Sequence, residues 1–135
     1  MSDLIKGLLA AICTACSFCF GDRDGLMIAL VALIVLDYIS GVIAAAAEKK
    51  LSSEVGAKGI AKKVIMLLIV VVGNIVDVNV IGEGHMLKTV VVAFYIANEC
   101  ISLVENAGRL GVPVPKKLLD VLEQLRDKNN SGDSE

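Results

Sequence analysis

Tryptophan is missing from this chain of 135 residues, and its aromatic side chains amount to two tyrosines and three phenylalanines. Tyr38, Tyr95, Phe18, Phe20 and Phe94 are too few to build the aromatic-rich pocket that a small-molecule exporter would use. Histidine is scarcer still. His85 stands alone in the glycine-rich "GEGH", so neither a zinc site nor a catalytic histidine pair is expected. A phosphate-cradling glycine loop, a nucleophile elbow and a zinc-protease motif are also lacking. Together these gaps exclude the common enzyme classes and leave no expected cofactor, metal or nucleic-acid partner. Cysteine is present, as Cys13, Cys16 and Cys19 in "ICTACSFCF" and as Cys100. The CxxCxxC spacing matches part of an iron–sulfur pattern but has no nearby fourth ligand, so these read as small apolar residues of a helix. The start of the chain has one lysine and an apolar stretch but no A-x-A site before "GDRD", and retention of this segment is expected.

The scarcest feature is a polar face. Hydrophobic residues make up 56% and charged residues 21%, and the mean hydropathy is +0.73. The apolar residues are massed in four blocks, Gly7 to Phe20, Gly25 to Ala47, Val64 to Ile81 and Met86 to Val104, with the charges between them and in the tail. Stretches such as Met27–Leu36 and Val64–Val72 leave no side for water, which rejects a soluble bundle. A helix needs about 20 apolar residues to cross a bilayer, so the second block is long enough and the third and fourth are near it. The first is short and leaves a thin span, a re-entrant segment or an interfacial helix open. The expected fold is an all-α integral membrane protein. Three to four transmembrane helices, at about 4–20, 25–47, 60–81 and 86–106, form a domain over residues 1–110, and 111–135 hold an amphipathic cytoplasmic helix and a disordered tail.

Lysines set the expected orientation. Lys49, Lys50, Lys58, Lys62 and Lys63 crowd the connection between the second and third blocks, and Arg109, Lys116, Lys117, Arg126 and Lys128 follow the fourth. Positive residues in short connections stay on the cytoplasmic side, which puts the C-terminus of a multi-pass membrane protein there. "GDRD" and "GEGHMLK", with only Arg23 and Lys88, fit the outer face. After Gly111, Pro113 and Pro115 break the chain, "KKLLDVLEQLRDK" places Leu118, Leu122 and Leu125 on one side of a helix, and "NNSGDSE" is expected to be disordered. Glu105 and Arg109 have the spacing of an i, i+4 pair.

Asp37 stands in the middle of the longest apolar run. A central aspartate costs about 2.5 to 3.5 kcal/mol on insertion scales, while each Leu, Ile, Val or Phe returns about 0.3 to 0.6, so the helix still inserts. Protonation or a partner inside a bundle lowers the cost further, which makes the carboxyl a reason to associate. Counted inward at 1.5 Å per residue, Asp37 lies about 18 Å from the outer end of its helix and Asn98 and Glu99 about 18 to 20 Å; Asn74 lies about 16 Å up from Lys63. The expectation is one polar layer of Asp37, Asn74, Asn98 and Glu99. Beside it, Ser40, Gly41, Ala44 and Ala45 recur on one helix face, a candidate surface for packing between copies of the chain.

"DGLMIALVALIVLDYISGVIAAAAEKKLSSEVGAKGIAKKV" and "FYIANECISLVENAGRLGVPVPKKLLDVLEQL" resemble the bacteriophage holin family that also includes clostridial toxin-secretion holins. The resemblance runs from Gly25 to Leu125, with "LDYISG" and "GAKGIAKK" among its most specific parts, and the cysteine-rich start departs from it. It implies a small protein that gathers in the bacterial cytoplasmic membrane, associates with itself, and opens lesions that dissipate the membrane potential and release an endolysin or a protein toxin. An antiholin or membrane scaffold, and a small proton-coupled exporter, are the alternatives that the same helices would serve.

Overall fold

The computed structural model describes residues 2–21 and 24–132, with side chains to Asp127. Asp22 and Arg23 of the first connector, the side chain of Lys128 and residues 133–135 of the tail lie outside the described residues. Five α-helices follow one another: α1 (Asp3–Phe20), α2 (Gly25–Ala47), α3 (Ser53–Val76), α4 (Met86–Arg109) and α5 (Lys116–Gly132). No strand occurs among the described residues. A π-helical turn, Asp77–Ile81, extends α3 without a break, and the whole 29-residue rod joins α1, α2 and α4 as a helix long and apolar enough to cross a membrane. The first block, left open by the sequence, is thus a fourth candidate span, its 18 residues covering about 27 Å.

Local chemistry explains the boundaries. Asp24 caps α2, its carboxylate accepting from Met27 N at 2.7 Å, and Ser52 caps α3 by accepting from Val55 N at 3.1 Å. This starts α3 at Ser53, seven residues before the expected position. Gly111, at φ +79°, ends α4 ahead of Pro113 and Pro115. The cap of α4 comes from another element. Asp77, fully buried, accepts from Leu87 N at 3.1 Å and from Lys88 N at 2.9 Å, satisfying two of the orphan donors at that helix start. Its burial is tolerated because both carboxylate oxygens have donors.

α4 is the hub, packed against α2, α3 and α5, whereas α2 and α3 barely meet and α1 touches only α3. α2 and α4 run the same way and α3 opposes them. The inward-facing seam steps by seven residues: Leu30, Asp37 and Ala44 on α2, the half-buried Gly56 and Lys63 with Val70 and Asp77 on α3, and Val92, Glu99 and Asn106 on α4. Each step is two helical turns, so like levels meet. One layer is Leu30, Val70 and Val92, at most 2% exposed and ringed by Phe20, Met27, Ile34, Val91, Tyr95 and Ile96. The next layer, about 10 Å along, is Asp37, Lys63 and Glu99.

α5 returns against α4 with Leu119, Leu122, Glu123 and Arg126 half-buried, leaving Leu118, Val121 and Leu125 exposed. The expected stripe of Leu118, Leu122 and Leu125 is therefore split between two faces, because contact with α4 is made one position further round. α5 also runs to Gly132, into the segment expected to be disordered.

Replacing Asp77 by Ala is expected to cost about 1–3 kcal/mol, the penalty of orphaning buried donors. Asp77→Asn, which keeps one acceptor, should fall between; detergent-unfolding titrations of the purified protein measure both.

Candidate functional site in the bundle interior

Lys63 is the centre of the site. Its ammonium donates to Asp37 Oδ2 at 2.7 Å and to Glu99 Oε2 at 2.7 Å, with side-chain exposures of 16%, 7% and 6% for the three residues. One side chain from each of α2, α3 and α4 meets at the same level because each sits seven residues from the apolar layer. The network continues towards the end of the bundle that holds the 48–52 turn. Asp37 Oδ1 accepts from Asn106 Nδ2 at 3.0 Å, and the same amide donates to Ser40 Oγ at 2.9 Å. Asn106 Oδ1 accepts from Arg109 Nη1 at 3.2 Å, and Arg109 grips Glu48 through Nε and Nη2 at 2.9 and 3.0 Å. The Arg109 guanidinium holds the Glu48 carboxyl below its ordinary range.

Around this network lies a cleft of about 540 Å³, bounded by α2, α3 and α4 and reached by Arg126 of α5. Tyr38 explains the cleft. Its ring and hydroxyl lie on Gly56 and Gly59, where an added Cβ would meet them at 3.4 and 3.6 Å, so the ring sits as a wedge between α2 and α3. The "GAKG" spacing thus makes room for an aromatic ring.

A second polar group closes the other end. Asn74 Nδ2 donates to the carbonyl of Cys19 at 3.0 Å, capping the C-terminus of α1, and Lys88 Nζ lies 3.5 Å from Asp24 Oδ2. Gly21, at φ +79°, allows this approach: a Cβ there would stand 3.1 Å from Asn74 Oδ1 and 3.2 Å from Lys88 Nζ.

The expected layer of four is therefore regrouped. Asp37 and Glu99 come together and Asn98 lines the same cleft, but Asn74 does not join them. The depth count took Lys63 as the inner end of its helix, whereas α3 begins ten residues earlier. Lys63 itself lies at the level of the carboxylates, and Asn74, eleven residues on, is about 16 Å away. Lys63 was read as a loop lysine and is instead an interior ion partner. Lys49 and Lys50 lie in the turn after α2, Lys58 and Lys62 on the first turns of α3, and Lys116 and Lys117 at the start of α5, all at the end where α2 and α4 finish. Arg109 pairs with Glu48 and not with Glu105, since α4 brings it against the end of α2.

The small-residue face is also corrected in its use. Ala44 and Ala45 are buried against α4, Ser40 bonds to Asn106, and a Cβ on Gly41 would meet Asn106 Nδ2 at 3.5 Å. This face therefore takes part in packing α2 within one protomer, with Ala44 and Ala45 buried and Ser40 and Gly41 half-buried. Asn106 was missed by sequence reading, although its position seven residues after Glu99 carried the signal.

Four candidate spans, three of them around a buried ion cluster, define a small multi-pass helical membrane protein. The sequence profile described as the bacteriophage holin family matches residues 14–127, and the chain belongs to that family. A 14.9 kDa protein from the nagH 3′ region of Clostridium perfringens is 39% identical over 126 residues, covering 93% of this chain and 96% of that one. A Listeria innocua protein, Lin0175, is 41% identical over 118 residues, 87% of this chain and 82% of its own. A protein of Bacillus phage phi105 named as a probable holin is 34% identical over 114 residues, 84% of this chain and 83% of that one. No solved structure matches the chain.

Lys63→Met alone strands two buried carboxylates and is expected to cost about 3–5 kcal/mol. Combining it with Asp37→Leu and Glu99→Leu should return most of that loss, because no uncompensated charge remains. Comparing detergent unfolding of the single and triple variants checks the cluster directly.

Proposed function

We propose that the protein acts as a holin: copies gather in the bacterial cytoplasmic membrane, associate with one another, and open lesions that collapse the membrane potential and pass an endolysin or a protein toxin. The observation that carries this reading is the Asp37–Lys63–Glu99 cluster inside four apolar spans. Lipid accepts these groups only while they are bonded to each other, whereas a water-filled lumen accepts them singly. The chain is thus suited both to an inserted, sealed state and to an assembled, hydrated one. The role is one of permeabilisation and not of catalysis.

The end of the bundle that carries Lys49, Lys50, Lys58, Lys62, Lys116 and Lys117 is assigned to the cytoplasm, and the C-terminus with it. At the opposite end Lys88 is buried beside Asp24, which spares it from acting as a topogenic charge.

With all three groups ionised the cluster carries one net negative charge, so a single proton neutralises it. Neutral, it stays packed; ionised and wetted, it favours the open arrangement. Asp37→Asn leaves Lys63 and Glu99 as a balanced pair and is expected to insert normally but to delay lysis at equal protein levels. Unchanged timing would remove Asp37 from the trigger. The reading as a whole is tested by induced expression with membrane potential, culture density and endolysin release recorded together. Abrupt depolarisation after a silent delay, followed by endolysin-dependent lysis, is expected. An intact potential at high membrane abundance would point to an antiholin, a scaffold or an exporter.

A further inference from the structure

The interior of the protomer is polar on one side of the Leu30, Val70 and Val92 layer and reaches that layer only through the ion cluster. The cleft has room for on the order of ten waters, and Asn98 and Ser102 supply polar partners along its wall besides the charges. Past the cluster, the three apolar side chains are at most 2% exposed and offer water no hydrogen-bond partner. Tyr38, resting on Gly56 and Gly59, keeps α2 and α3 apart at the open end, and α5 lies across α4 with Arg126 in the cleft lining.

We propose that this cleft is an aqueous half-channel, entered from the α5 side and lidded by α5, that gives protons access to the Asp37–Lys63–Glu99 cluster from that side alone. The titratable groups along it are Asp37 and Tyr38 from α2, Lys62 and Lys63 from α3, Glu99, Glu105 and Arg109 from α4, and Arg126 from α5. Its floor is net negative, and nearer the mouth, where Arg109 is paired with Glu48, the two basic groups Lys62 and Arg126 outweigh Glu105. The mouth therefore disfavours bulk cations, while a proton passes along bound water to the carboxylates. Naming that side as cytoplasmic rests on the orientation given above; the half-channel itself does not.

Cysteine accessibility tests this on the full-length chain. The four native cysteines are replaced by alanine, and single cysteines are placed at Ser102, Asn98, Val70 and Lys50. Each variant is reconstituted at low copy number into vesicles that retain a trapped dye. A charged, membrane-impermeant thiol reagent is then added on one side or the other. Ser102→Cys and Asn98→Cys are expected to react from the same side as Lys50→Cys, within about tenfold of its rate if water fills the cleft, and Val70→Cys from neither side. Adding Leu119→Asp and Leu122→Asp, which lifts α5 from α4, should speed Ser102→Cys severalfold without changing Lys50→Cys. The half-channel is overturned if both cleft cysteines are as slow as Val70→Cys or react from the side opposite Lys50→Cys. The lid is overturned if loosening α5 leaves the Ser102→Cys rate unchanged. If Lys50→Cys faces the outside while the cleft cysteines still follow it, the orientation fails and the half-channel stands.

Discussion

One ammonium held between two carboxylates, inside helices whose outer surfaces are apolar, is the constraint on which the rest of this bundle depends. α2 and α3 make little contact of their own, so Lys63 on α3, bonded at 2.7 Å to Asp37 on α2 and to Glu99 on α4, is what closes that side of the bundle. Buried ion clusters seldom add much net stability, because desolvation consumes most of the attraction. Their force is in register. A slip of one residue would replace Asp37 by Leu36 or Tyr38, Lys63 by Lys62 or Val64, and Glu99 by Asn98 or Cys100, so the heptad seam has one alignment that brings all three groups together.

The two ends of the seam are built on different principles. At the end with the 82–85 loop, backbone groups are satisfied by side chains: Asp77 accepts from the first N–H groups of α4, Asn74 donates to the carbonyl end of α1, and Gly21 permits the approach. These contacts are short and fill their space. At the basic end the contacts run through Asn106, Arg109 and Glu48, and Tyr38 holds the helices apart. The bundle is therefore tight at one end and splayed at the other, with the apolar layer as the boundary. α1 follows from the same asymmetry: it is fixed by its last turn and none of its residues is buried, so its length is left to lipid or to other chains.

Much of this was legible in the sequence, and the part that was not has a physical reason. The blocks of apolar residues carry the spans, and Asp37 and Glu99 stand out because charge in such blocks is costly. Lys63 was hidden by its neighbours: as the last of a lysine-rich connection it reads as topology, and only the capping serine at position 52 shows that α3 is already nearly three turns old when Lys63 is reached. The same shift of the helix start misplaced Asn74. A seven-residue repeat through Gly56, Lys63, Val70 and Asp77, matched by Leu30, Asp37 and Ala44 and by Val92, Glu99 and Asn106, was present throughout and would have aligned the levels without any depth count. For the small residues after Asp37, which helix they meet depends on tertiary arrangement, and Ser40 and Gly41 lie beside Asn106 on α4 of the same chain.

This last point changes how association is to be understood. If the polar groups were unsatisfied in the single protomer, clustering would begin as soon as copies met. Most of them are satisfied: the carboxylates have Lys63 and Asn106 has Asp37 and Ser40, leaving Asn74 Oδ1 as the buried side-chain oxygen without a partner among the described residues. The isolated protomer is thus at ease in lipid, and its apolar exterior has no hydrophobic drive to leave it. Under the proposed holin reading, assembly into a hydrated lesion would exchange the Lys63 contacts for water or for a neighbour's groups, which would place a barrier between accumulation and opening. A silent delay followed by a cooperative transition is the behaviour expected when each protomer is content alone and the first rearranged copies lower the barrier for the next.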